Sequence, residues 1–387
     1  MHRHGHTPHA HSSRRDFFQQ LAGGALAGAS ALELGWHRAA WARAQAPAAG
    51  AHLFDIVRVA EGCYCAEARA QALINSNAAI FVNANDVLVM DSHSKPSAAA
   101  ALIAQIKKEV TPKPVRYVVN SHFHWDHMQG NQSYKAGGAK VDILASEPTK
   151  QLMAKETTGR LKEALATAPK QIEALSKRME KATSAEERAF FAGQIEQIKA
   201  YHLEMRNFSL ELPTIGFEKS HVIKDKEHEL HVEFHGRAHT AGDVVVFCPQ
   251  KRVVATGDMI HGFLPYAGDC YPRSWATTID AVAKRAFDKI LPGHGPAHPS
   301  RSRMLHMRNY IEEIVARVAD GKKAGKTVAE LQKTITVASL KSLQADGYSK
   351  YLVDNLYKYF PNFGPPQPLQ NGVNGNIEHF YGRLEQG

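Results

Sequence analysis

Several apolar runs in this 387-residue chain stop within a few positions on a histidine or an aspartate. DVLVMD ends at Asp91, VRYVVN runs into HFHWDH at His122 to His127, VVATGD ends at Asp258, and LPGH ends at His294. A fifth segment, GRAHTAGD, sets His239 in a Gly-flanked turn just ahead of the apolar run DVVVFCP. Side chains of this kind are costly to bury one at a time. A fold that accommodates them gathers strand ends along one edge of a sheet, where loops meet on a common site.

The rest of the chain supplies such a fold. Between Asp55 and Asp91, short β-like runs alternate with turn signals, and NAND at 83–86 reads as a hairpin turn. SAAAALIAQIKKEV is a helix opened near Pro96 and closed before Pro112. The strands VRYVVN and KVDILAS follow it, an order that implies a mixed sheet with helices packed on it. Residues from 147 to about 209 change character: Ile172, Leu175 and Met179, then Phe191, Ile195 and Ile198, recur at helical period, and Ser184 with Glu187 forms a capping pair. This is a helical insertion between core strands. Cover for a site and self-association both fit it, and the residues do not choose. Strands return in HVIKDKEHELHVEFHG, DVVVFCP and RVVATGD. From 301 to 387 the chain is mostly helical, with the stripe Met307, Ile311, Ile314, Val318 and a capping box at Thr327 and Glu330.

At an extended strand end, residues two apart point the same way, so His122 and His124 reach one metal. Asp126 and His127, on the turn that follows, point toward a second. Imidazole and carboxylate are ligands that zinc and similar borderline metals accept. His239, Asp258 and His294 each stand at a strand-to-loop junction and complete the set.

The ordered segments HFHWDH, GRAHTAGD, TGD and PGHG resemble the metallo-β-lactamase-fold metallohydrolases over about residues 53–300. The upstream IFVNANDVLVMDSH resembles that superfamily's early hairpin. The resemblance implies an α/β fold, an αββα sandwich with a helical insertion and C-terminal helices, and a dinuclear site on one edge. It implies that His122, His124 and His239 hold the first metal, that Asp126, His127 and His294 hold the second, and that Asp258 bridges both. Asp91 then supports the metal-bearing loop from behind, and the metals are two zinc ions, with iron or manganese as alternatives. Dizinc β-lactamases of the family usually carry cysteine or serine where this chain has Asp258. A bridging aspartate is similar instead to the glyoxalase II, lactonase and phosphodiesterase branches.

The expected chemistry is attack of a metal-activated hydroxide on a small-molecule ester, thioester, lactone or amide carbonyl. Asp126 is the residue expected to orient the water and move its proton. The aromatic stretch MIHGFLPYAGDCYPRSW follows Asp258, and His261, Phe263, Tyr266, Tyr271 and Trp275 are candidate pocket residues. Three rival readings are a β-lactam-hydrolysing enzyme, an iron-dependent sulfur or oxygen redox enzyme, and a non-catalytic metal-binding accessory protein.

Charge adds little. The chain carries +9, and without the five basic and two acidic residues of 1–44 it holds 42 basic against 36 acidic side chains, or +6. Basic residues are interleaved with acids, so no nucleic-acid partner is expected. Residues 1–44 resemble a Tat signal peptide: twin Arg14 and Arg15, the short apolar LAGGALAGASAL, and a small-x-small site at Ala42 and Ala44. That implies the Tat machinery as a partner, a periplasmic or secreted protein, and no membrane anchor in the mature form. The histidines of MHRHGHTPHAH fall in this leader and are set aside. Four cysteines make no disulfide framework, and a single bridge such as Cys63 to Cys270 is left open.

Overall fold

The computed structural model describes residues 53–69, 76–183, 185–359 and 368–386. The leader and Ser184 lie outside them.

The first sheet runs β1 (Phe54–Ala60), β2 (Cys63–Ala68), β3 (Ala78–Val82), β4 (Val87–Met90), β5 (Val115–Val119), β6 (Asp142–Ser146) and β7 (Ile215–Phe217), in that spatial order. Strands β1 to β4 are antiparallel neighbours, whereas β4 to β7 are parallel. The NAND turn joins β3 to β4, with the Asn83 N–H donating to the Asp86 carbonyl at 2.9 Å and its side chain to the Asp86 carboxylate at 2.6 Å. The parallel step from β4 to β5 needs a crossover, which α1 (Pro96–Glu109) supplies.

The second sheet has the order β12 (Lys289–Pro292), β11 (Val253–Gly257), β10 (Val244–Cys248), β9 (Glu229–Phe234) and β8 (Ser220–Lys224). Only β11 and β12 are parallel within it. Its β10 is buried at every position, as a strand covered on both faces must be.

Apolar side chains fill three layers. Phe81, Leu88, Met90, Val119 and Leu144 of the first sheet meet Leu230, Val232, Val246 and Leu291 of the second. Behind the first sheet, Leu102 and Ile106 of α1 pack on Ile80, Val89 and Val118, and each such side chain contributes about 1.5–3 kcal/mol. Behind the second, Val245, Val254 and Ile290 pack on α6 (Pro272–Ala283) and α7 (Ser302–Lys323). The predicted stripe Met307, Ile311, Ile314, Val318 is this face of α7. The molecule is the αββα sandwich that the sequence resemblance implies.

Two short helices, α2 (Trp125–Met128) and α3 (Asn131–Tyr134), follow β5. The insertion is a pair of long helices, α4 (Glu147–Glu180) and α5 (Ala185–Met205), between β6 and β7. The C-terminal part continues with α8 (Val328–Thr334), capped by Thr327 and Glu330 as the sequence predicts, then α9 (Lys341–Gln344), α10 (Tyr348–Tyr359) and α11 (Pro368–Arg383). Strand β7 escaped the sequence reading, because three residues are too few to show a period. All four cysteines are free, so no bridge joins Cys63 to Cys270. Among the described residues no helix is long and apolar enough to cross a membrane.

Candidate metal centre

The C-terminal ends of β4, β5, β11 and β12 open on one edge of the sandwich, and the loops there carry Asp91, His122 to His127, Asp258 and His294. Strand β10 is antiparallel to β11, so the loop that precedes it brings His239 to the same edge. The donor atoms form two buried groups: His122, His124, His239 and Asp258, then Asp126, His127 and His294, with the atoms of each group within 4.8 Å of one another.

Asp258 joins the groups. Its Oδ2 lies 3.4 Å from His239 Nε2 and 3.8 Å from His122 Nε2, while its Oδ1 lies 3.4 Å from His127 Nε2 and 3.6 Å from His294 Nε2. Asp126 Oδ2 stands 3.0 Å from His294 Nε2 and 3.4 Å from His127 Nε2. One expectation about the approach changes. His122 and His124 do not share an extended strand end: β5 stops at Val119, the chain bends over 121–123, and Asp126 and His127 ride on α2.

Four of the histidines are fixed from behind. The Nδ1–H of His127 donates to Asp91 Oδ2 at 2.7 Å, that of His122 to Ser121 Oγ at 2.9 Å, and that of His239 to the Tyr266 carbonyl at 3.0 Å. His124 is turned the other way, with Nε2 2.9 Å from Asp269 Oδ2. In each of these the remaining nitrogen faces the centre, where a bound cation would take its lone pair. Asp91 also accepts the Ser121 N–H at 2.7 Å and its hydroxyl at 2.8 Å. It does so from a left-handed backbone, φ +73°, costly for a non-glycine residue and common at functional sites.

Two glycines allow the approach. A Cβ on Gly293 would lie 2.1 Å from Asp258 Oδ1, and one on Gly257, itself at φ +51°, 2.4 Å from Ser121 Oγ.

The electrostatics fit cations. Burial holds His122 and His239 well below the usual histidine range, so they stay neutral. Burial would lower His127 too, but the carboxylates of Asp258, Asp126 and Asp91 drive it well above that range. Burial raises Asp126 and Asp258, yet the neighbouring imidazoles, His127 first, hold both well below the carboxylate range. His122 Nε2 and Asp258 Oδ1 are buried without a hydrogen-bond partner. Native interiors rarely leave such atoms unsatisfied, and cations between the groups would satisfy both.

The sequence profile of the Metallo-beta-lactamase superfamily matches residues 73–294. The chain belongs to the metallo-beta-lactamase superfamily. A "Metallo-beta-lactamase type 2" of Bacillus cereus is 32% identical over 77 residues, which are 18% of this chain and 30% of that protein. The chain thus spans under a third of the curated relative it matches. Among solved structures, a metallo-beta-lactamase from Pontibacter korlensis is 17% identical, with a TM-score of 0.49 over 67% of this chain and 99% of the other. The metallo-beta-lactamase FIM-1 from Pseudomonas aeruginosa, in a mono-zinc form, is 18% identical, with a TM-score of 0.46 over 67% and 95%. The matched residues include all seven donors of the two groups.

The aromatic candidates divide. His261 reaches the centre, its Nε2 3.2 Å from Asp258 Oδ2 and its ring parallel to that of His294 at 5.9 Å. Phe263 stands behind both rings, 5.6 Å from His261 and 5.9 Å from His294. Tyr266 flanks His124 and His239 at 6.0 and 6.2 Å. Trp275 is no pocket residue: it is fully buried on α6, donates its indole N–H to the Met259 carbonyl at 3.0 Å, and backs His239 at 5.5 Å. Tyr271 lies beneath the Arg237 guanidinium at 4.8 Å and stands at the head of α6. Asp269, which holds His124, was missed. It sits in an irregular loop with no periodic signal, and only its place inside the aromatic stretch pointed to it.

Proposed function

We propose that the chain is a two-metal hydrolase that cleaves a carbonyl ester, thioester, lactone or amide, and the reach of Asp258 into both donor groups carries that reading. His122, His124 and His239 would hold one cation, Asp126, His127 and His294 the other, with Asp258 shared. Two divalent cations, when bound, supply an activated water near neutral pH and polarise a carbonyl.

The remaining work falls to the side chains. His122, His127 and His239 are fully buried, whereas Asp126 and His294 keep 8% and 7% of their surface exposed. A substrate therefore meets the centre on the Asp126–His294 side. Asp126, kept ionised beside His127 and His294, is placed to orient the attacking water and accept its proton. Tyr266, half-buried beside His124 and His239, offers an aromatic surface that favours an apolar acyl or ring portion. Zinc is the metal that the His/Asp donor set suits best. The leader supports Tat export and a periplasmic or secreted location.

A β-lactam is the second reading, because the Bacillus cereus relative is named a metallo-beta-lactamase. Asp258, where dizinc β-lactamases usually carry cysteine or serine, favours the first. Hydrolysis of a panel holding a thioester, a lactone, an aryl ester, a phosphodiester and a β-lactam decides between them. Turnover of a carbonyl ester, thioester or lactone well above that of the β-lactam is expected; a β-lactam preference would reverse the order.

A further inference from the structure

The helical insertion seats on the metal-bearing segment. Ser146 and Thr149, at the start of α4, donate to the Gly242 carbonyl at 2.6 and 2.8 Å, in the loop that carries His239. One turn on, Met153 is buried in a cluster with Phe123 and Met128. Helix α5 returns over the same segment: the Tyr201 hydroxyl donates to Gln129 Oε1 at 2.8 Å, and its ring meets Trp125 at 5.5 Å.

Between these contacts stands Arg160. Its guanidinium lies over the Phe123 ring at 4.8 Å and grips Asp269 with two bonds, Nη1 to Oδ2 at 2.8 Å and Nη2 to Oδ1 at 3.1 Å. The same Asp269 Oδ2 is the atom 2.9 Å from His124 Nε2. A two-pronged arginine–carboxylate pair fixes the carboxylate plane as well as its position. Both partners are largely shielded, with side chains 25% and 19% exposed, so solvent screens the pair only in part.

We infer that Arg160 is a positioning residue: through Asp269 it sets the ring and tautomer of His124, so that the insertion helps to assemble the first metal position. Residues 109 apart in the chain, Arg160 and Asp269 meet only when α4 is docked. The cation that His122, His124, His239 and Asp258 would hold is thereby coupled to the seating of the insertion. The second donor group has no such tie among the bonds of Arg160.

The inference rests on the two-metal reading, and zinc titration of the metal-free full chain against a chromophoric chelator separates the two. The titration resolves the first and second equivalents. Carboxylates and carbonyls behind metal-bound histidines typically set metal affinity by 10–100-fold. Asp269→Asn is expected to weaken one equivalent by about that factor and leave the other unchanged. Arg160→Ala is expected to weaken the same equivalent, and Arg160→Lys, which keeps charge but loses the second prong, to fall between it and wild type. Lys177→Ala, which removes an exposed pair with Glu173 on the same helix, should match wild type. Wild-type affinities for both equivalents in Arg160→Ala and Asp269→Asn would overturn the inference. Equal weakening of both equivalents, with a lowered melting temperature, would overturn it too, since that is the signature of a merely structural pair. If wild type takes a single ion, the two-metal reading fails, and the clamp stands only if Asp269→Asn weakens that ion.

Discussion

Asp91 Oδ2 lies 2.7 Å from His127 Nδ1, so the residue just after β4 fixes a ligand carried by α2, which follows β5. Asp91→Asn keeps the left-handed backbone, which asparagine tolerates, but removes the charge that holds the His127 tautomer. Metal affinity is expected to fall by about tenfold or more, with the far-UV circular dichroism unchanged. Zinc competition titration measures it.

Asp258 faces both donor groups, so its loss should not be confined to one. Asp258→Ala is expected to lower the occupancy of both positions and hydrolytic turnover together, whereas His294→Ala should spare the group of His122, His124 and His239. Metal analysis after desalting, beside the rate on the best carbonyl substrate, checks the pair of variants.

Gly293 is required by space. A Cβ there would meet Asp258 Oδ1 at 2.1 Å and the Gly257 backbone at 2.7 Å. Gly293→Ala should destabilise the fold by about 1–3 kcal/mol and also displace Asp258. A lowered melting temperature with reduced metal content is the expected outcome.

Much of this centre was legible because its ligands punctuate apolar runs. His239, Asp258 and His294 stand out since each interrupts or ends a stretch that otherwise reads as strand, and HFHWDH concentrates four donors in one segment. The geometry around them was less legible. His261 reads as a candidate pocket residue, and only the folded turn after β11 brings it onto Asp258 at 3.2 Å. Trp275 looked like part of an aromatic loop, but Pro272 starts α6 there and turns the indole into the core. Asp269 and Arg160 give no periodic signal, because their pairing exists only across 109 residues. The role of the insertion was undecided for the same reason: its apolar period predicts helices, not the surface on which Met153 and Tyr201 land.

His298 gives a pH dependence away from the metal ligands. It is 2% exposed, and burial, with a smaller push from Arg303, lowers its pKa to about 4, although the His261 backbone opposes the shift. The unfolded chain takes up this proton near its ordinary value of 6.5 and the folded chain only near 4. Stability from this group is therefore fully present above pH 6.5 and is lost as pH falls toward 4. The loss amounts to about 3 kcal/mol at most. Urea unfolding of wild type and His298→Leu between these limits should show the variant with the shallower slope; parallel slopes would contradict the assignment.

The central claim is that one chain holds two metal ions through a shared Asp258. Its most direct test is the zinc stoichiometry of the metal-free wild-type protein, titrated to saturation and read by elemental analysis after gel filtration. Two ions per chain, falling to one or none in Asp258→Ala, is the predicted result. Saturation at one ion in wild type, or two ions retained in Asp258→Ala, would contradict it.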